Sequence, residues 1–402
     1  MATNKEQNKL NVPHLRFPEF HGEWEKCKLG DIATLTKGSG ISKDQRSATG
    51  TPCILYGELY TTYKSEVINY VVSKTDISDK NLVRSCANDI IIPSSGETAI
   101  DISTARCVLS PDVLLGGDLN IIRLKDGDGR FFSYQLNGVR KHDIAKIAQG
   151  VSVVHLYGES IKGLTVSFPS NKEQQKISTL LSLIDERIAT QSKLIEDLKK
   201  LKSAIIVEHY RQTEKNEVCV ADLGNHFNVG NLAKDDLSET GKPCIIYGEL
   251  FTTYGEIISQ IESHTNKTEG MILSKKGDLL FPSSTTVDAV SLIAPSVINV
   301  DNVILGGDMF GIHINHNYNT QYLSYYFNHI AKKQLAKFAK GSTIIHLHYT
   351  DIEKAKLLLP SLEEQNRMAK CLVALDKKVS VEQNLLSSLT CQKSYLLQQM
   401  FI

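Results

Sequence analysis

The sequence holds no arginine between Arg211 and Arg367, although residues 1–168 contain seven. It also has no net charge, no CxxC pair and no long apolar run. Each absence narrows what the chain can be. Its eight cysteines (Cys27, Cys53, Cys86, Cys107, Cys219, Cys244, Cys371 and Cys391) are scattered. With no His cluster nearby and no framework of short spacings, they argue against a zinc site or disulfide scaffold and fit reduced thiols in cytoplasm. Cys53 and Cys244 read as buried strand residues. Runs such as Ala204-Ile205-Ile206-Val207 fall far below the roughly 18 residues of a membrane span. The first thirty residues are polar and charged, so the reading is a cytoplasmic protein without an export signal. Lys plus Arg number 45 and Asp plus Glu 45, which counts against a stand-alone, tight nucleic-acid binder. Phosphate loops of the form GxxxxGK(S/T), GxGxxG after a strand, HExxH and GxSxG are all missing. Catalysis and metal binding therefore have no motif to rest on.

What the chain does have is itself, twice. "CILYGELYTTY" (53–63) returns as "CIIYGELFTTY" (244–254). At a shift of 189 to 191, "IPSS" (92–95) meets "FPSS" (281–284), "LLGGDLN" (114–120) meets "ILGGDMF" (304–310), and "GVSVVHL" (150–156) meets "GSTIIHL" (341–347). "PSNKEQQKI" (169–177) matches "PSLEEQNRM" (360–368), and "KSAII" (202–206) matches "KSYLL" (393–397). A period near 190 residues is one whole domain plus an appendage, too long for a solenoid repeat. The joint falls near residues 211–217.

Within each copy the texture changes once. Short apolar runs broken by Gly, Ser and Asp predict strands and turns over about 25–168, interrupted by one helix at Phe131 to Ala148, with its partner at Gln321 to Ala339. The unit is α+β. After Pro169 and Pro360, turn signals vanish for about forty residues, which predicts a rod of ~60 Å at ~1.5 Å per residue. Ile177, Ile184, Leu198 and Ile205 alternate with Leu181, Ile188 and Ile195. Met368, Leu375, Leu389 and Leu396 alternate likewise with Leu372, Val379 and Leu386. That spacing is a coiled-coil seam. Polar residues interrupt it at matching places: Gln191 and Glu382, then Lys202 and Lys393. A polar seam residue weakens packing but fixes register, so Gln191 and Glu382 are expected to meet and set how the helices align.

Basic residues cluster on the predicted mid-domain helices: Arg140, Lys141, His142 and Lys146 in the first copy, Lys332, Lys333, Lys337 and Lys340 in the second. They suit phosphate contacts or a solvated face. "PSSGE" (93–97), with His155 as base, suggests a serine nucleophile, but the second copy reads "PSSTT" and lacks an acidic member. Such loops serve more often as turns or as hydrogen-bonding surfaces. Residues 216–359 hold 11 Lys and 15 Asp plus Glu, hence 11 − 15 = −4, so that half alone should bind DNA poorly. Without arginine it would read bases with Lys, Asn, Gln, Ser or Thr.

The opening "VPHLRFPEFHGEWEKCKLGDI" (12–32), the paired "PSNKEQQKI" and "PSLEEQNRM" entries into long helices, and the closing "LLQQMFI" (396–402) together resemble the specificity subunits of type I restriction-modification systems, over the whole chain. The resemblance implies two similar mixed α/β target-recognition domains separated by two long antiparallel coiled-coil helices, pseudo-twofold through internal duplication. The implied segments are 1–168 (with an N-terminal segment 1–24), 169–212, 213–359 and 360–402. Each domain would read one half of a split DNA site, with half-sites about 10 bp apart or a multiple. The helices would dock two methyltransferase subunits and set the spacing. Two restriction and motor subunits could complete an ATP-dependent endonuclease. The chain itself would be non-catalytic and without cofactor; S-adenosylmethionine, ATP and Mg would sit on partners, which methylate adenine N6 after flipping it.

DNA contacts are then expected where the copies diverge. These are Lys37, Ser39, Lys43 and Arg46 in 37–47; Ser94, Ser95 and Thr98 in 94–104; Asn231 and Lys234 in 228–238; and Ser283, Ser284, Thr285 and Thr286 in 283–292. Lys141, Lys146, Lys332, Lys333 and Lys337 would hold phosphates. Tyr60, Tyr63, Phe251 and Tyr254 would either stack on DNA or serve as core shared by both domains. The N-terminal "VPHLRFPEF", which has no counterpart in the second copy, is expected to pack against the far helix ends. The rival reading is a coiled-coil scaffold joining two protein-binding domains with no DNA role.

Overall fold

A computed structural model describes residues 11–78 and 81–402. The chain forms two compact units. One ends at Lys193 and takes in Gln383–Ile402; the other is Leu194–Glu382.

The first unit is built on a five-stranded sheet in the order Ala33–Lys37, Leu119–Leu124, Asp89–Pro93, Arg106–Val108, Val67–Ile68. Its pairs are antiparallel except the last. The central strand, "DIIIP", is buried throughout. Because side chains alternate between faces, Ile90 and Ile92 enter one core with Trp24, Phe131 and Tyr134, while Ile91 enters another with Ile54, Leu59 and Tyr63. The second unit repeats the order with Gly224–Asn228, Met309–Ile314, Asp278–Pro282, Ser296–Ile298 and Ile257–Ile258. There Leu279 and Phe281 face one core and Leu280 the other. A second sheet accompanies each. It has three strands in the first unit (Lys74–Thr75, Thr51–Ile54, Leu114–Leu115) and five in the second.

The phrase repeated at 53–63 and 244–254 forms a strand end closed by a buried carboxylate. Glu58 Oε2 accepts the Leu55 N–H at 2.9 Å, and Glu249 Oε2 accepts the Ile246 N–H at 2.9 Å. The Ser73 and Ser263 hydroxyls donate to the other carboxylate oxygens. The tyrosines at the end of the phrase brace the next segment, with Tyr63 accepting from the Val72 N–H and Tyr254 from the Glu262 N–H. The repeated phrase is therefore framework in both units.

The mid-domain helix differs from the expectation of one element over 131–148. It is two helices, Gly129–Asn137 and Lys141–Ile147, broken at Gly138, where ψ is −108°. A Cβ there would lie 3.1 Å from the Tyr134 carbonyl and 3.4 Å from Leu397. In the second unit His329 occupies the matching position, within a π turn at Phe327–Ala331. Its Nε2 reaches Glu256 at 2.9 Å.

Both long helices form, as Asn171–Gln212 and Leu362–Gln399. The first begins in one unit and ends in the other. In the first unit Ile177 and Leu181 share a core with Met400 and Phe401, against which Leu396 and Leu397 pack. In the second unit Ile206 clusters with Met368 and Leu372, and His209 Nε2 meets Glu364 Oε2 at 2.9 Å. In each unit the start of one helix therefore lies against the end of the other, an antiparallel pairing. Every seam residue is buried or half-buried; full burial of an Ile or Leu contributes ~1.5–3 kcal/mol, and the half-buried ones correspondingly less. Gln191 and Glu382 are both buried, and Glu382 pairs with Lys378 on its own helix.

The N-terminal segment closes the first unit. The Leu15 N–H donates to the Gln399 carbonyl at 2.9 Å, and Trp24 stacks edge-on against Phe131 and Phe401.

Candidate nucleic-acid interface

Strand register decides which divergent segments meet. Lys37 pairs with Asn120 and Pro93 with Leu119, so the segments following Lys37 and Pro93 leave the sheet at one end. Ser95 then pairs with His155, and His155 bridges to Gln149, which adds the tip at 149–155. The Asn120 amide donates to the Leu156 carbonyl at 2.8 Å and ties that tip down. The second unit gathers the same parts: Asn228 pairs with Phe310, Pro282 with Met309, Ser284 with His346, and Lys340 bridges to His346. Helix Lys141–Ile147 packs on helix Ala99–Ile102, and Lys332–Leu335 on Ala289–Leu292, so both basic helices adjoin these loops.

Of the expected contact residues, Lys37, Lys43, Thr98, Lys146, Asn231, Lys234, Thr286, Lys333 and Lys337 are exposed. Ser95, Lys141, Thr285 and Lys332 are half-exposed. Several of the expected residues also carry framework duties. The Ser39 hydroxyl accepts the Val83 N–H at 2.8 Å. Thr98 caps its helix by accepting the Asp101 N–H at 3.1 Å. Arg46 lies 3.5 Å from Glu58. Ser94 and Ser283 are buried, each with its carbonyl taken by the tip strand, from the Leu156 and Leu347 N–H groups. Ser284 is buried and donates to Asp308 at 2.8 Å rather than to His346. Tyr63, 8 % exposed, belongs to the core and is withdrawn from any surface open to DNA. Tyr60 and Tyr254 are half-buried. Burial raises the Tyr60 hydroxyl pKa, with Tyr56, Asp101 and Glu97 adding to it. Tyr60 therefore stays neutral and lies beside the 94–104 loop.

The tips at 149–155 and 341–345 lie outside the four divergent segments named above, yet they sit at the same end of the sheet. Val151 is 97 % exposed, with Val153 and Ile344 also in solvent. Gly150 and Gly341 adopt φ of +121° and +113°, and a Cβ on either would come within 2.1 Å of a backbone carbonyl. Glycine makes the turn, and the side chains after it are free to differ. "VSVV" against "STII", each following a glycine that both copies share, is the available signal. Exposed methyl groups beside hydroxyls suit the thymine methyl and base edges of a major groove.

Comparison with known proteins matches residues 21–200 and 213–390 each to the type I restriction modification DNA specificity domain. The MjaVIII specificity subunit of a type I restriction enzyme from Methanocaldococcus jannaschii is 23% identical over 411 residues, covering 95% of this chain and 92% of that one. A putative type I specificity subunit from Mycoplasma genitalium is 23% identical, covering 94% of each chain. The solved S subunit of a type I restriction-modification system from M. genitalium superimposes with a TM-score of 0.63 at 19% identity, covering 97% of this chain and 99% of that one.

Proposed function

The chain belongs to the type I restriction-modification DNA specificity family, and from this we propose that each of its units reads one half of a bipartite DNA site while partner subunits perform the chemistry. The observation that carries the reading is the repetition of one scaffold with divergent loops gathered at the same end of the sheet. Common framework with different loops is what two different half-sites require. Basic helices beside those loops supply phosphate contacts, and Ser, Thr, Asn and apolar tips supply base contacts.

The long helices dock methyltransferase subunits, which carry S-adenosylmethionine and methylate adenine. Leu183, Leu194 and Leu201 on the first helix and Val381, Leu385 and Tyr395 on the second are exposed. Apolar side chains at that density on a helix surface suit a protein partner. Gln191 and Glu382, polar and buried in an apolar seam, set the alignment of the helices. Neutral net charge fits a reader whose neighbours provide much of the grip on phosphates.

The test is selection from randomised duplexes by the chain assembled with its methyltransferase subunit. A split motif whose retention falls as salt rises supports the reading. A stable assembly that retains duplexes without sequence preference overturns it, and one that retains no duplex at all leaves the non-DNA scaffold in place.

A further inference from the structure

Lys202 and Lys393 interrupt the apolar seam, yet neither points to water. In the first unit the Lys393 ammonium, on the second long helix, lies 2.5 Å from Glu66 Oε2 in the domain and 2.5 Å from Asp185 Oδ1 on the first long helix. The Tyr134 hydroxyl donates to the other Asp185 oxygen at 2.8 Å, and its ring lies 5.7 Å from the ammonium. Ser65 adds a further 2.8 Å bond to Asp185. In the second unit the Lys202 ammonium, now on the first long helix, lies 3.0 Å from both oxygens of Glu256 in the domain and 2.7 Å from Asp376 on the second long helix. Tyr325 donates to Asp376, and its ring lies 5.3 Å from the ammonium. The same four groups recur with the two helices exchanging roles.

Each cluster is a three-way junction in which one ammonium binds a domain and both helices at once. Burial works against the charge of Lys393, but Glu66 and Asp185 outweigh it and its pKa rises; Lys202 behaves alike through Glu256 and Asp376. Buried ion pairs are poor sources of net stability, because desolvation consumes most of the attraction, and their best-attested use is to fix register. A one-residue slip of either helix, or a rotation of the domain on the pair, would strand an unpaired charge in a dry site. An apolar junction would tolerate such slips.

We propose that Lys202 and Lys393 are positioning residues that seat each recognition domain on the helix pair in one register, and so restrict the spacer between half-sites. This rests on the bipartite reading. The experiment uses the full chain assembled with its methyltransferase subunit and maps methylated sites for Lys393→Met and Lys202→Met. Because a lone carboxylate pair could block folding, the neutral set Lys393→Met, Glu66→Gln and Asp185→Asn, and Lys393→Arg, which restores the charge, are measured beside them. The expected result is that both half-site sequences survive while methylation at spacers one base pair off rises about tenfold relative to the native spacer, roughly 1.4 kcal/mol of lost discrimination. Lys393→Arg should recover part of the stringency. Unchanged spacer stringency in the folded neutral set, or a uniform loss at every spacer, overturns the proposal. If the unsubstituted chain yields no split motif, the bipartite reading fails first, and the proposal with it.

Discussion

Arg16 grips Glu173 with two prongs, Nε at 2.7 Å from Oε1 and Nη2 at 2.8 Å from Oε2, and the carboxylate is only 1% exposed. This pair joins the N-terminal segment to the first turn of the first long helix, where a carboxylate also suits the helix dipole. Removing one partner of a buried pair strands the other. Arg16→Ala should therefore lower the stability of the first unit by about 3 kcal/mol, with Arg16→Lys losing less because one contact survives. Trp24, the sole tryptophan, lies in this core and reports the transition by fluorescence during urea unfolding. An unchanged midpoint would mean the segment merely rests on the surface.

The carboxylates that close the repeated phrase should behave as a matched pair. Glu58→Ala and Glu249→Ala each leave an N–H without its acceptor, buried at Leu55 and part-buried at Ile246, which costs about 1–3 kcal/mol. Equal losses in the two units, measured by hydrogen exchange at those amides, are expected. A loss in one unit alone would show that the phrase does different work in the two copies.

Acid should weaken the second junction in a defined window. Burial pushes the Glu256 carboxyl up, but His329 and Lys202 outweigh it and hold it at about 2, against an ordinary 4.5. Asp376 and Tyr325 complete its surroundings. A lowered carboxyl stabilises the fold fully above about pH 4.5, and that contribution, on the order of 3 kcal/mol, drains away as pH falls toward about 2. Glu256→Gln should thus lower Tm most at pH 7 and progressively less toward pH 3. A gap between variant and parent that does not narrow on acidification would contradict this.

On DNA, Lys333→Ala and Lys337→Ala, both exposed beside the loop cluster, should weaken binding about equally for all sequences. Each should reduce the slope of log K against log salt by about 1. A change in preferred bases instead would move these lysines from phosphates to base edges.

Much of this architecture was legible in the sequence. Whole-domain self-similarity revealed the duplication, and seven-residue spacing revealed two long helices whose seam does face inward. The break at Gly138 was hidden because the apolar pattern carries straight through it; only close approach to Leu397 near the far terminus makes the break useful. Tyr63 is ambiguous in sequence because an aromatic on a repeated frame can brace or stack; its burial, with the Val72 hydrogen bond, decides. The seam lysines looked like blemishes in a coiled coil. Their partners Glu66 and Glu256 lie 327 residues from Lys393 and 54 from Lys202 in sequence, beyond any local pattern.

On the proposed reading, two framed loop clusters take one half each of a single DNA site. The most direct test of that reading is co-expression of the chain with its methyltransferase subunit in a host lacking DNA methylation, followed by genome-wide mapping of N6-methyladenine. One split motif, with one methylated adenine in each half and a single spacer length, is the predicted result. A stable complex that leaves the genome unmethylated, or a methylated motif that is short and continuous, would contradict it.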